Sequence, residues 1–336
     1  MSEARANARA SLSFEGDMQV SAVAWALFGA IIVAMLAIDL GAFRGTRGAS
    51  REMTPRSAAL WTAAWIGLAL LFGFVVLAFY GPSAALTYLT AYLLEKSLSI
   101  DNIFVFVLIF AQLQIPEGEQ RRVLYWGVLG ALVMRALLIA AGVYLLERFH
   151  WVIYPFAVLV ILAAVRMVAG REKERAAVAA ACAVCGSWVA RLIRITPVLR
   201  GGRFWVRQGG RLVATPLFIA LVVVETTDLI FALDSIPAVL SVTRDPFLVY
   251  TSNVFAMLGL RSLYFLLAGA VERFRYLRTA LAAVLAFVGG KMLLGDVVEV
   301  PTWVSLVVIA IAIGLGVAIS LARPPRPGAR PATGEA

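Results

Sequence analysis

Nine apolar runs divide this chain, at about 21–43, 57–80, 83–112, 122–146, 151–169, 213–242, 247–270, 279–296 and 301–321. Most approach the roughly 20 residues a helix needs to cross the hydrocarbon core, and all are too long for barrel strands of about 9–11 residues. Backbone N–H and C=O groups cannot stand unpaired in hydrocarbon, so a chain made of such runs folds as helices that satisfy their own hydrogen bonds. Composition agrees, with 62% hydrophobic and 15% charged residues, against about 45–50% and about 25% in soluble domains. The expected fold is an all-α, polytopic transmembrane bundle of about nine spans.

Basic residues set the orientation. With nine spans the loops alternate sides. One set of loops, together with the C-terminal tail, holds 21 Lys/Arg, and the other set with the N-terminal tail holds 4. The positive-inside rule then puts the N-terminus outside and the C-terminus in the cytoplasm. The net charge of +10 is explained by these topology signals facing anionic lipid, so no nucleic-acid partner is expected. The N-terminus, which mixes Arg5 and Arg9 with Glu3, Glu15 and Asp17, does not read as a secretory signal.

The chain divides into an extracytoplasmic tail (1–20), five spans (21–169), a cytoplasmic loop (170–212), four spans (213–321) and a cytoplasmic tail (322–336) expected to be disordered. Within the loop, 176–190 is apolar but short, and reads as an interfacial or amphipathic helix. Two β-prone runs flank Gln208-Gly209-Gly210 and predict a small hairpin. Spans 3–5 and 6–8 resemble each other. Asp101-Asn-Ile-Phe matches Asp228-Leu-Ile-Phe, Arg135 matches Arg261, and Arg166-Met167 matches Lys291-Met292, at offsets of 127, 126 and 125. A unit of three spans is odd, so its copies cross the bilayer in opposite directions. This is the inverted repeat with which many secondary transporters build a site near the midplane.

Six acids fall inside spans: Asp39, Glu95, Asp101, Glu225, Asp228 and Asp234. Each costs roughly 2.5–3.5 kcal/mol at membrane depth on insertion scales and marks a functional site by default. The repeat brings Asp101 and Asp228 together, and Glu225 shares a helix face with Asp228. Asp234 lies about 240° round an ideal helix from Asp228. Pro237 is expected to loosen the helix there and to turn Asp234 toward the same cavity. Carboxylates with the Asn102 carbonyl, without thiol or nearby His, form a hard oxygen set suited to Mg2+, Ca2+ or Mn2+. The only histidine, His150, belongs to an outer loop. The candidate metal site is thus Glu95, Asp101, Asn102, Glu225, Asp228 and Asp234, with Asp39 and Ser235 as secondary candidates. Arg135, Arg261 and Lys96 are the expected counter-charges. Protonation of some acids would couple metal movement to protons.

Blander readings stand beside this one. The acids could be structural ion pairs with Arg135, Arg261, Lys96 and Lys291, and Asp39 could be merely interfacial. Cys182 and Cys185 give no disulfide framework or metal motif and read as small packing residues. An intramembrane aspartyl dyad of Asp101 and Asp228 is disfavoured by the extra acids. A di-metal oxidase lacks its Glu-x-x-His ligands. No catalytic residue and no organic cofactor is expected.

EKSLSIDNIFVF, RALLIAAGVYLLERFHW, TPVLRGGRFWVRQGGRLVATPLF, ETTDLIFALDSIPAVLSVTRDPFLVYTSNVFAMLGLRSLYFLLAG and KMLL together resemble the TerC/Alx family of bacterial membrane proteins. The resemblance spans residues 25–321 and implies an integral inner-membrane protein tied to tellurite resistance and to Mn2+ export. The family's acidic positions fall on Glu95, Asp101, Asn102, Glu225, Asp228 and Asp234, and the Ala-rich region around Cys182 departs from its usual polar loop. The choice of Mn2+ over Mg2+ or Ca2+ comes from this resemblance. The leading expectation is an Mn2+ exporter working by alternating access, with the bilayer as its environment and a second copy or a membrane partner left open. The alternative is an accessory protein that supports metalation of secreted proteins or envelope-stress resistance through the 170–212 loop. A tellurite oxyanion would be repelled by a carboxylate cage, so any tellurite effect is expected to be indirect.

Overall fold

The computed structural model describes residues 21–42, 54–168, 171–196, 199, 202–208, 210–268, 275–295, 297–298 and 300–322. The expected tail 1–20, and all of the expected tail 322–336 except Ala322, lie outside the described residues. The elements are α1 (Ala22–Ala42), α2 (Pro55–Gln112), α3 (Glu117–Arg148), a 3-10 turn (His150–Val152), α4 (Ile153–Val168), α5 (Arg171–Leu192), β1 (Trp205–Gln208), β2 (Arg211–Ala214), α6 (Pro216–Leu240), α7 (Pro246–Met257), α8 (Leu260–Leu267), α9 (Arg275–Leu294) and α10 (Thr302–Ala322). The chain is an all-α polytopic membrane protein.

Two compact units can be distinguished. The first holds α1 and residues 245–247. In it Trp25 and Phe28 meet Phe247 edge-on, with centroids 5.2 and 5.8 Å apart.

The second unit holds everything from α2 onward apart from those three residues. Here α2 starts on Thr54, whose side chain accepts from Ser57 N, with Pro55 in the first turn where a missing N–H costs nothing. Its 58 residues would reach far beyond one bilayer at about 1.5 Å per residue. The chain bends at Gly81, whose φ of 85° and ψ of 177° interrupt the helix just before Pro82. Two spans result, as the runs at 57–80 and 83–112 predict. Side chains such as Leu60, Phe74, Phe79 and Leu137 stay largely exposed on the outside of the unit. That arrangement suits lipid contact, where apolar surface carries no hydration penalty.

The strongest packing pairs α4 with α9, α3 with α6, α9 with α10 and α8 with α2, and all of these but the α9–α10 pair join the two copies of the repeat. This is the pattern an exchanged three-helix repeat produces. The third helices of the two copies meet each other, and each copy's second helix packs on the first helix of the other. Residue order supports the directions. Along α3 and α6, Gly127 meets Val224 and Gly142 meets Leu240, so the two run the same way. Along α2 and α8, Lys96 lies at Ala256 just before α8, and Phe110 meets Tyr264.

Three expectations are corrected. The α6 helix is not broken at Pro237: it runs from Pro216 to Leu240 with proline inside it. The break falls instead in the run at 247–270, where α7 ends at Met257 and Gly259 takes a φ of +81° before α8 begins. Glycine adopts that left-handed conformation without the Cβ penalty, and the Trp65 indole packs where a Cβ would stand. Finally, the loop helix spans Arg171–Leu192, longer than the expected 176–190, and packs against α6 and α2. By length and composition its 175–192 portion would suffice to cross a membrane. The hairpin after it pairs Trp205 with Ala214 and Gln208 with Arg211. Thr215 anchors it to the start of α6 by donating to Arg203 O at 2.7 Å.

Candidate functional site

A polar layer separates two apolar cores. One contains Leu94, Ile139 and Ala232; the other contains Ile103, Leu124 and Val224. Between those limits lie 95–102 of α2, 125–138 of α3 and 225–231 of α6, the stretches that carry Glu95, Asp101, Glu225, Asp228 and Arg135, while Asp234 lies beyond them between Ala232 and Ile236 of α6. Burial of charge between two dry cores is costly unless each charge is met.

Arg135 meets two of them. Its Nη1 donates to Glu95 Oε2 at 2.9 Å, its Nε to Asp228 Oδ2 at 3.2 Å and its Nη2 to Asp228 Oδ1 at 3.4 Å. Nη1 also reaches Ser235 Oγ at 3.4 Å, and Asn102 Nδ2 donates to Asp228 Oδ1 at 3.4 Å. Arg135 and Glu95 are each 1% exposed and Asp228 is 2% exposed. The guanidinium fork matches the Asp228 carboxylate with two roughly parallel bonds, the strong form of this pair. Asp228 and Ser235 stand two helical turns apart on α6, which is why both reach the same arginine. One cation thereby ties α3 and α2, in the first copy of the repeat, to α6 in the second.

A cavity of ≈ 410 Å³ adjoins this cluster. Asp101, Asn102, Thr227, Asp234 and Ser235 supply its oxygen-bearing wall, and Arg135 also lines it. Asp234 reaches it without any helix break, because Thr227, Phe231 and Asp234 follow one stripe of α6. Arg166 of α4 lines the same cavity and acts electrostatically on Asp234. Small residues of α5, namely Ala177, Val178 and Ala181, form another wall.

The six sequence-predicted ligands are therefore not gathered into one cage. Glu95 and Asp228 share Arg135, while Asp101, Asn102 and Asp234 face the cavity. Glu225 is half-buried and packs directly on Gly130 of α3, filling the space a Cβ would take. Among the described residues no three of His, Cys, Asp and Glu converge on a common point. Lys96 serves a helix end: its Nζ donates to Ala256 O at 3.1 Å, beside the break between α7 and α8. An ammonium there complements the negative end of the helix dipole. Arg261 is buried at the start of α8, 6% exposed. Asp39 lies in the last turns of α1, and its side chain is outside the described residues. Sequence reasoning missed Asn253, which stands beside Glu95 and is 1% exposed. It also took Arg166 only as a marker of the repeat. Asn253 gave one signal, an amide in an otherwise apolar run.

The model of the integral membrane protein TerC family matches residues 80–327. A Myxococcus xanthus protein named "Uncharacterized membrane protein STKORF319" is 49% identical over 297 residues, covering 88% of this chain and 91% of its own. The Escherichia coli K12 protein named "Putative membrane-bound redox modulator Alx" is 43% identical over 296 residues, covering 85% and 90%. A Rickettsia bellii membrane protein is 36% identical over 290 residues, covering 85% and 93%. No solved structure matches the chain.

Proposed function

We propose that this chain, which belongs to the TerC family of integral membrane proteins, exports a divalent metal ion across the inner membrane, with Mn2+ as its substrate. The observation that carries the reading is the position of Arg135, a single cation held between Glu95 on α2 and Asp228 on α6. Two carboxylates that already hold a buried cation suit a hard divalent cation of oxygen-ligand type. The adjoining cavity offers Asp101, Asn102 and Asp234 as a first stop. In this mechanism the substrate enters the cavity and competes with the guanidinium for Asp228 and Glu95. Displacing Arg135 releases the tie between the two copies of the repeat, so binding is coupled to their relative movement. Asp101, Asn102 and Asp234 bind the entering ion. Glu95 and Asp228 hold it at the centre. Arg135 restores the tie after the ion leaves.

The test is Mn2+ flux into inside-out proteoliposomes of purified wild type beside Asp228→Asn and Asp101→Asn, with Mg2+ and Ca2+ as competitors. Flux lost in both variants and resistant to excess Mg2+ supports the reading. Full flux in both, or none in well-folded wild type with or without a proton gradient, overturns it.

A second reading has one observation in its favour. Relatives carry a name that refers to redox modulation, and Cys182 and Cys185 are free thiols one turn apart on α5, whose neighbouring residues line the cavity. It requires that both thiols matter for function.

A further inference from the structure

Beside Arg135, but outside the cavity lining, two buried polar groups face each other with no hydrogen bond of ordinary geometry between them. Glu95 gives Oε2 to Arg135, but its Oε1 accepts no hydrogen bond. Asn253 of α7 stands beside it and interacts with the Glu95 carboxylate, but neither Nδ2 nor Oδ1 of that amide reaches a hydrogen bond of ordinary geometry. Both residues are 1% exposed, and neither lines the cavity. A buried amide or carboxylate oxygen left unbonded costs about 1–3 kcal/mol, and more where charge is involved. Native proteins keep few of these, and a ligand is among the standard reasons for keeping one.

The placement sharpens the point. Asn253 sits in the last turns of α7, immediately before the break at Gly259. The C-terminal end of a helix carries partial negative charge from its unpaired carbonyls. Lys96 answers one of them, at Ala256. The Glu95 carboxylate, an amide oxygen and a helix C-terminus are all attractive to a cation. Interrupted helices supply this kind of backbone end to ion sites in transporters.

We propose that Glu95 Oε1 and Asn253 Oδ1 form a second station for a hard divalent cation, beside Arg135 and outside the cavity lining. This rests on the export reading and deepens it. Glu95 is then shared: one oxygen belongs to the central cluster and the other to the exit station. The ion moves from the cavity to the centre and then to Asn253, while Arg135 returns behind it and blocks backflow.

The experiment measures Mn2+ binding to the purified full-length protein and Mn2+ flux in proteoliposomes, for wild type, Asn253→Leu and Asn253→Asp. Asn253→Leu removes the station but leaves the cavity acids untouched. Its Mn2+ affinity is expected to stay within about threefold of wild type, while flux falls at least about tenfold, the effect of one lost polar contact. Asn253→Asp keeps the shape and adds a carboxylate, so binding is expected to tighten by about tenfold or more while flux slows. The opposite signs of binding and flux separate a station from a packing role, which would weaken both. Should Asn253→Leu fail to fold, the Asp variant alone decides. Wild-type flux with normal flux in Asn253→Leu overturns the station and leaves export standing. Unchanged affinity in Asn253→Asp also overturns the station. Absence of wild-type binding and flux overturns export and the station with it.

Discussion

The two copies of the three-helix repeat carry matching acids and matching arginines, yet their middle helices are built differently. In the first copy α3 runs 32 residues without interruption. It packs against α6 along a glycine seam, with Val224 3.0 Å from the Cβ position of Gly127, Glu225 against Gly130 and Leu240 2.8 Å from that of Gly142. In the second copy the equivalent stretch is two short helices, α7 and α8, joined through left-handed Gly259. Trp65 fills the space at that joint and Lys96 holds the carbonyl of Ala256 beside it. Asp228 and Arg135 keep sequence counterparts in Asp101 and Arg261, while the backbone that carries the arginine differs between the copies. A close glycine seam transmits force as a rigid pair, whereas a broken helix confines bending to a few residues. The ionic tie through Arg135 lies in the continuous pair, and the interrupted helix carries Asn253 and the carbonyl that Lys96 meets.

The largest expected effect is on that tie. Arg135→Gln leaves Glu95 and Asp228 buried without their cation and is expected to destabilise the protein by about 3–5 kcal/mol. A lowered unfolding midpoint in detergent measures it. Neutralising the acids as well, with Glu95→Gln and Asp228→Asn, is expected to recover most of the loss, since the penalty comes from stranded charge. The counterpart Arg261→Gln sharpens the comparison. An equal loss there would mean that the hinged half is tied as firmly as the rigid one.

Next is the joint itself. Gly259→Ala incurs about 1–2 kcal/mol for a left-handed alanine and about 1–3 kcal/mol for pushing on Trp65, whose Cδ1 is 2.7 Å from the added Cβ. Adding Trp65→Leu should return the second part only. Little or no cost would show that the break is not imposed at Gly259.

The seam comes third. Gly130→Ala forces the Glu225 carboxylate off α3 and is expected to cost about 1–3 kcal/mol. Glu225→Ala should suppress most of that, giving a coupling energy in a double-mutant cycle. Additive effects would mean that Glu225 does not depend on the glycine for its position.

Much of this was legible in the sequence because hydrophobic length is a strong signal in a membrane chain. All nine apolar runs correspond to helical segments, and the repeat offsets anticipate which helices pair. Arg135 was recognised as a counter-charge because an arginine inside a span must meet an acid. The position of the helix break was not legible. Pro237 drew attention as a helix breaker, but α6 continues through it, since a proline costs one backbone donor and neighbouring packing can carry a continuous helix. Gly259 looked ordinary, because glycine is common in transmembrane helices and only the tertiary contact with Trp65 reveals its conformation. The grouping of the acids was hidden for a related reason. Spacing along α6 places Asp228 and Asp234 on different faces, but cannot say that one face meets Arg135 and the other a cavity.

The smallest expected effect tests where the comparison ends. Cys182 and Cys185 lie on α5, outside both copies of the repeat. Cys182 is 6% exposed and packs in the cluster that includes Val178, Phe110, Leu217 and Ala220, with Cys185 at its edge. As packing residues they are replaceable: Cys182→Ala with Cys185→Ala removes two sulfur atoms, a change close to deleting single methylenes, at about 0.5–1.5 kcal/mol for the buried one. Mn2+ flux is then expected to stay within about twofold of wild type, and to be equally insensitive to thiol oxidants, because a modest packing loss on α5 leaves the acid wall of the cavity unchanged. Flux that falls sharply in this variant, or wild-type flux that an oxidant stops and a reductant restores, would give the thiols a functional role. The α5 helix would then be a third working part beside the seam and the joint, and the redox reading would gain over simple export.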